Sequence, residues 1–285
     1  MGKYKNILVA VDGSVSSRNA FRQACRISRE NGKHIAAVTV IPSLDDLFDS
    51  LIVREKAAKA VRGEGEKVLA EVSKAAEEEG VFLKTFLEEG SPYDAVNEVA
   101  GSGRYDLIVM GRRGTKALER AFVGSVTARV IGHSAVDVLV IQRNTALGWK
   151  KILLATDGSK YSAAAADKAI DLAKAYGGEL AVVSVVDVNE EFQTTAPEAV
   201  EKMIKKSRET VQAIKDRAEA AGVAAEGFVG EGNSHSVIIN LAKEKNSNLI
   251  IMGSHGRSGL GRLLMGSVTE KVIGHTACPV LVVKS

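Results

Sequence analysis

Cysteine is scarce in this chain of 285 residues: Cys25 and Cys278 are the only two. They are too few for a disulfide framework and too isolated for a zinc site, so both are expected in the core. No apolar run approaches the roughly 20 residues a membrane-spanning helix needs, which predicts no membrane partner. The start, Met1-Gly-Lys-Tyr-Lys-Asn6, runs straight into the apolar stretch Ile7 to Val11 and lacks a signal-peptide pattern, so the expected location is cytoplasmic. Charge of one sign is not in excess. With 38 Lys and Arg against 35 Asp and Glu, the net charge of +3 forms no basic patch, and composition makes no case for nucleic acid.

What is present is an ordinary globular balance, 45% apolar and 26% charged, over a length sufficient for two domains with their own cores. An internal repeat decides the organisation. Asn6-Ile-Leu-Val-Ala-Val-Asp12-Gly-Ser lines up with Lys151-Ile-Leu-Leu-Ala-Thr-Asp157-Gly-Ser at an offset of 145, and Asn31-Gly32 with Gly177-Gly178 keeps it. Later landmarks stand 142 apart: Gly80 and Gly222, Gly90 and Gly232, Gly111 and Gly253, Gly124 and Gly266, His133 and His275. Three residues are therefore missing from the middle of copy two, and the junction at 144–150 predicts domains at 1–145 and 146–285.

Within copy one, apolar runs of strand length at 7–11, 35–41, 107–110 and 138–141 suit a parallel sheet covered on both faces. Residues 82–87 alternate like a strand nearer an edge. Between them, Ala20, Phe21, Ala24, Cys25 and Ile27 follow the helical period after a capping Ser14 or Ser16, and helices are expected over 51–79, 92–100 and 126–131. Copy two repeats the order, with helices near 162–176, 197–221, 236–245 and 269–273. The fold class is α/β: two doubly wound domains, each a mostly parallel five-stranded sheet flanked by helices. Ligands of such sheets bind beyond the carboxyl ends of the strands, where strand order reverses.

In copy two that position holds a glycine loop. Leu249-Ile-Ile-Met252 leads into Gly253-Ser-His-Gly256-Arg257-Ser-Gly-Leu-Gly-Arg262-Leu-Leu-Met-Gly266-Ser267-Val268-Thr269. Its glycines are expected to take left-handed conformations and bring N–H groups close to a ligand. Ser267 is expected as the N-cap of a helix whose unpaired N–H groups and partial positive charge suit phosphate, with Arg257 and Arg262 as guanidinium clamps. The spacing is neither G-x-G-x-x-G nor a P-loop ending in Gly-Lys-Ser/Thr. The Ser-Gly-Gly loop of adenylating enzymes is also absent.

Gly, two residues, Gly, nine residues, Gly-Ser after a strand resembles the nucleotide loop of the universal stress protein family. Val11-Asp12-Gly13-Ser14 and Thr156-Asp157-Gly158-Ser159 resemble that family's first strand-to-helix turn, and Ala277-Cys278-Pro279-Val280-Leu281-Val282-Val283 its last strand. The likeness spans almost the whole chain. In the ATP-binding subgroup, the loop holds the triphosphate, the aspartate lies near ribose and metal, and main chain after the second strand meets adenine. The resemblance thus implies ATP, or AMP or ADP, with Mg2+ at Asp157. It implies nucleotide contacts at Asp157, Gly158, Ser159, Val185, Gly253, Gly256, Arg257, Arg262, Gly266, Ser267, Val268 and Thr269. In copy one the same contacts fall on Asp12, Val40, Gly111, Gly114, Gly124, Ser125, Val126 and Thr127. It also implies that the copies pair within the chain through their last strands, and a homodimer of the tandem chain is compatible with it.

Each candidate has a plainer reading. The loop as a tight connection would explain one glycine but not three followed by serine. Asp12 and Asp157 can bond their own turn backbone, and Val40 and Val185 are core valines by type. His133 and His275 read as residues at helix ends favoured by the dipole, after a C-capping glycine; His255 lies within reach of a phosphate but has no second metal ligand at the usual spacing. Copy one replaces both inner glycines and carries Glu119 where copy two has Gly261, against which Arg112 and Arg113 add positive charge, so the second site is expected to bind more tightly. Three functions remain open: an ATP-responsive regulatory module of the stress response, a slow ATPase or phosphotransfer enzyme using Asp157 and Arg262, and a nucleotide-free interaction scaffold. Phosphoryl transfer needs a positioned nucleophile, a metal site and a charge stabiliser, and no third residue stands out to complete that set. The expectation leans away from an enzyme.

Overall fold

A computed structural model describes residues 4–31, 34–43, 51–102, 105–114, 123–256 and 265–284. The chain divides into two compact units, one of Tyr4–Arg120 with Gly124–Asn144 and one built mainly from Thr145–Ser285. The amino-terminal unit runs β1 (Asn6–Ala10), α1 (Val15–Asn31), β2 (His34–Ile41), α2 (Leu51–Glu78), β3 (Leu83–Glu89), α3 (Pro92–Gly101), β4 (Leu107–Gly111), α4 (Ser125–His133) and β5 (Asp137–Ile141). The carboxy-terminal unit runs β6 (Lys151–Ala155), α5 (Lys160–Tyr176), β7 (Glu179–Val186), α6 (Glu190–Thr195), α7 (Pro197–Ala220), β8 (Ala225–Glu231), α8 (Ser234–Glu244), β9 (Leu249–Gly253), α9 (Ser267–His275) and β10 (Val280–Val283).

Within the first unit the strands lie in the order β3-β2-β1-β4-β5, every pair parallel. Within the second they lie β8-β7-β6-β9-β10, again all parallel. The chain winds outward from the first strand and returns to its other side, so order reverses between β1 and β4 and between β6 and β9. This is the doubly wound α/β arrangement expected from the strand and helix periods. Ile7, Leu8 and Val9 on β1, Leu107, Ile108 and Val109 on β4, and Leu249, Ile250 and Ile251 on β9 are completely buried, as continuous apolar runs in a parallel sheet must be. Helix α1 buries Ala20, Phe21, Ala24, Cys25 and Ile27, the face predicted from its period.

Glycine in the middle of a helix costs about 1 kcal/mol against alanine, yet α2 runs through Gly63 and Gly65. Gly65 has a packing reason: a Cβ there would stand 2.7 Å from Leu87 Cδ1 and 2.8 Å from Ile41 Cγ2. The helix therefore approaches β2 and β3 more closely than a side chain would permit. Short helix α6 was not anticipated; the Asn189 side chain caps it by accepting from Phe192 N at 2.8 Å. Gly132 and Gly274 lie inside α4 and α9 rather than capping them, and the C-caps are Ser134 and Thr276.

Burial pushes the Cys25 and Cys278 thiols up to about 12, which keeps both protonated and unreactive near neutral pH. Cys25 is fully buried as expected, whereas Cys278 is half-buried and donates to Ser247 O at 3.2 Å. Among the described residues no helix is long and apolar enough to cross a membrane.

Candidate functional site

Two turns meet at the reversal point of each sheet. The first follows β1 or β6. Gly13 and Gly158 take left-handed φ values of 74° and 75°, which only glycine adopts without strain. Asp12 Oδ1 accepts from Ser14 N at 3.0 Å and Asp157 Oδ1 from Ser159 N at 3.0 Å. One oxygen of each aspartate thus makes the turn bond of the plainer reading. The serine then starts the next helix: Ser14 Oγ accepts from Ser17 N, and Ser159 Oγ from Ser162 N.

The second turn is the glycine loop, and its three glycines do different work. Gly111 and Gly253 end β4 and β9 where the first turn of α1 or α5, the helix after each unit's first strand, presses in. A Cβ on Gly253 would lie 2.8 Å from Tyr161 C and 2.9 Å from Tyr161 O, and one on Gly111 would lie 2.8 Å from Ser16 C. The middle glycines face the aspartates: a Cβ on Gly114 would stand 2.5 Å from Asp12 Oδ2, and one on Gly256 would stand 3.1 Å from Asp157 Oδ2. The last glycines, Gly124 and Gly266, are the N-caps of α4 and α9. Their N–H groups donate 2.9 Å bonds to Arg112 O and Ser254 O, closing the loop on itself.

The expectation of left-handed loop glycines is not met. Gly124 and Gly266 have φ of −61° and −62°, and the positive-φ glycines lie elsewhere among the described residues. Glycine is needed here for close approach. A Cβ on Gly266 would meet Ser254 O at 3.3 Å and His255 Cα at 3.4 Å. Ser267 is likewise not the N-cap but the first helical residue, as is Ser125, and the caps make no side-chain bond.

The helix starts supply the donors. The first bond within α9 runs from Glu270 N to Gly266 O, and within α4 from Ala128 N to Gly124 O. The N–H groups of Ser267, Val268 and Thr269, and of Ser125, Val126 and Thr127, precede that first bond and carry the positive end of the helix dipole. The threonine hydroxyls are committed to structure: Thr127 Oγ1 donates to Gly111 O and Thr269 Oγ1 to Gly253 O, both at 3.1 Å. Those threonines offer a ligand their backbone, not their side chains.

Val40 and Val185 lie near the carboxyl ends of β2 and β7, half-buried, paired in register with Glu88 and Gly230. The strand beside each is the first of its sheet, with Val11 N bonded to Val38 O and Thr156 N to Val183 O at 2.9 Å. Arg257, Arg262, Gly261 and Glu119 fall outside the described residues. Among the described residues no group of three or more His, Cys, Asp or Glu gathers as a metal centre. Asp157 Oδ2 faces Gly256 in the loop, 3.1 Å from the position of a Cβ there, a placement that fits a metal shared with phosphate oxygens and water, the way Mg2+ is usually held.

Sequence reasoning missed Tyr161. Its ring centroid lies 5.2 Å from that of His255, whose Nδ1 is 3.1 Å from Ser254 Oγ. The offset of 145 that aligns the first turns puts Tyr161 opposite Ser16, a change from small to aromatic beside the loop that could have drawn attention. In the amino-terminal unit Arg112 is half-buried, and burial followed by the neighbouring Arg113 charge lowers its pKa, although a guanidinium stays protonated. A groove of about 820 Å3 lies along α7 and edge strand β8, between Arg208, Val211, Lys215 and Glu231. It is a separate feature from the loop, and its mixed charges favour no ligand.

The model of the universal stress protein family matches the chain twice, over residues 3–142 and 148–284. A universal stress protein of Methanocaldococcus jannaschii is 39% identical over 148 residues, 50% of this chain and 87% of that protein. The Bacillus subtilis universal stress protein YxiE is 36% identical over 150 residues, 48% of this chain and 99% of its own length. Among solved structures, a universal stress protein from Archaeoglobus fulgidus has a TM-score of 0.74 with 98% of this chain and 96% of its own covered, at 23% identity, a likeness of fold.

Proposed function

The chain belongs to the universal stress protein family, and from that premise we propose that it is a cytoplasmic regulatory module that binds adenine nucleotide in two tandem domains, at 1–145 and 146–285. ATP is the favoured ligand, with AMP and ADP able to use the same contacts. The observation that carries this reading is the meeting, in both units, of aspartate Oδ2 with the middle loop glycine, beside a glycine-capped helix start. Three successive N–H groups there suit phosphate oxygens, and the dipole adds to their attraction. Asp157 would hold Mg2+ through its carboxylate, and the metal's charge would offset that of the phosphates. Val185 supplies main chain to the adenine, and Asp12 and Val40 take these roles in the first domain.

Binding rather than turnover follows from the residue set. Asp157 and Arg262 are the sequence's candidates for catalytic roles, and in-line transfer requires a positioned nucleophile besides. Nucleotide then acts by ordering the loops and altering what the surface presents to partners. Mass spectrometry of the supernatant from heat-denatured protein, together with calorimetry against ATP and Mg2+, tests the reading. Retained adenine nucleotide or saturable ATP binding is expected. Neither retention nor binding would overturn it, and sustained ATP turnover lost in Asp157→Ala would favour the enzyme.

A further inference from the structure

Directly after the first loop glycine the two domains place different charges at equivalent positions. Arg112-Arg113 follows Gly111, whereas Ser254-His255 follows Gly253. His255 is held in place: its Nδ1 lies 3.1 Å from Ser254 Oγ, and its ring is tilted 45° to Tyr161 with centroids 5.2 Å apart. Neither anchor is loose, since Ser254 is 1% exposed and the Tyr161 backbone presses on Gly253. The imidazole is thus fixed immediately before Gly256, the residue that faces Asp157 Oδ2, and its Cα would lie 3.4 Å from a Cβ on the helix-capping Gly266.

We infer that His255 makes nucleotide binding in the carboxy-terminal domain proton-linked, the imidazolium holding polyphosphate more tightly than the neutral ring, while Arg112 and Arg113 make the amino-terminal site insensitive to pH. The inference rests on the nucleotide reading and adds regulation to it. An imidazole changes charge between about pH 5 and 8, and a guanidinium does not. Charged and titratable groups stand on every adjoining element. They are Asp157 in the turn after β6, Lys160 and Tyr161 on α5, Glu270 and Lys271 on α9, and Lys284 after β10. Lys160 Nζ lies 4.9 Å over the Tyr161 ring, and Val283 O, beside Lys284, accepts from Ser254 N at 3.3 Å.

The test is ATP affinity by calorimetry at about pH 6 and about pH 8, in a Gly124→Val chain that blocks the first loop and in the same chain carrying His255→Gln. ATP itself gains negative charge over that interval. The gain is common to both proteins, so the quantity to compare is the ratio of affinities at the two pH values. A charged donor is worth more than a neutral one, and the ratio favouring the lower pH should be about fivefold larger with histidine than with glutamine. His255→Arg should bind more tightly than His255→Gln with the same small ratio as His255→Gln. The unaltered chain and the single His255→Gln variant carry the same comparison should Gly124→Val fail to fold. Equal ratios in the histidine and glutamine chains overturn the inference and leave the nucleotide reading standing. No ATP binding by the unaltered chain at either pH overturns both.

Discussion

The two domains share one scaffold and differ in the charges set upon it. In both, the first loop glycine admits the backbone of the helix after the unit's first strand, a threonine hydroxyl ties the helix after the loop to the strand end at 3.1 Å, and the last glycine caps that second helix while its N–H closes the loop. Groups beside the crevice diverge: Ser16 against Tyr161, Arg112-Arg113 against Ser254-His255. Asp12 also crowds its glycine more than Asp157 does, 2.5 Å against 3.1 Å to the Cβ position. Packing constraints are symmetric because they arise from backbone approach, which any copy of this fold must satisfy. Side chains beside the crevice carry no such constraint, so they are where the two domains become unequal.

The largest expected effect tests the shared part. Gly253→Ala sets a methyl 2.8 Å from backbone, which cannot rotate away, so it should cost about 2 to 3 kcal/mol by chemical denaturation, and Gly111→Ala should cost about as much. Gly266→Ala meets its nearest neighbour at 3.3 Å and should cost about 1 kcal/mol or less. Equal costs at Gly253 and Gly266 would dissolve the distinction between a glycine kept for packing and one kept for a ligand.

Next comes binding. Gly266→Val leaves the fold intact but puts branched bulk over the N–H groups of Ser267 and Val268, and should weaken ATP more than tenfold, about 1.4 kcal/mol or more. Ser267→Ala, which removes one hydroxyl and keeps the backbone donors, should cost about 1 kcal/mol and less than Gly266→Val. The carboxy-terminal site is expected to be the tighter one, because Glu119 places a carboxylate within the first loop. Calorimetry on Gly124→Val and Gly266→Val separately ranks the sites, and a larger loss from Gly124→Val would reverse the comparison.

Most of the scaffold was legible in the sequence because its signals are local or repeated. Buried parallel strands read as unbroken apolar runs such as Leu249 to Met252, and the offsets of 145 and 142 located the second copy of every element. The meeting of Asp157 with Gly256 was foreseeable from topology, since both follow strands that flank the reversal point. Side-chain contact between Tyr161 and His255, 94 positions apart, has no local signature. The loop glycines were given both left-handed φ and close approach, and only close approach is met among the described residues: glycine answers to either, and sequence cannot separate the two. The cap of α9 was placed one position late, at Ser267, because a Gly-Ser pair before a helix permits either residue as the cap, and here glycine takes it. Helix α6 is too short to show a period, and Asn189 was its only cue.

The smallest expected effect concerns a second pair of equivalent contacts, where α3 meets α4 and α8 meets α9. Tyr93 lies against His133 with centroids 5.5 Å apart, and His235 takes the place of that tyrosine against His275 at 5.7 Å. The partner histidines are held alike, His133 Nδ1 to Arg129 O at 2.9 Å and His275 Nδ1 to Lys271 O at 2.8 Å. Burial lowers the His235 pKa first, then the Lys271 and His275 charges, with Asp187 opposing. A folded value below the unfolded one, ordinarily about 6.5, means the unfolded chain takes up the proton first as pH falls. The stability tied to a neutral His235 is therefore present above that value and lost as pH falls through the lower folded one. Thermal midpoints at about pH 7.5 and 5.5 should drop further in the unaltered chain than in His235→Tyr, which restores the amino-terminal arrangement, and Tyr93→His should bring the same loss into the first domain. The ring is partly exposed and solvent screens its neighbours, so the difference should be the smallest of these effects. An equal drop in His235→Tyr would show that the histidine pair adds nothing to acid sensitivity and that the domains differ only at their loops.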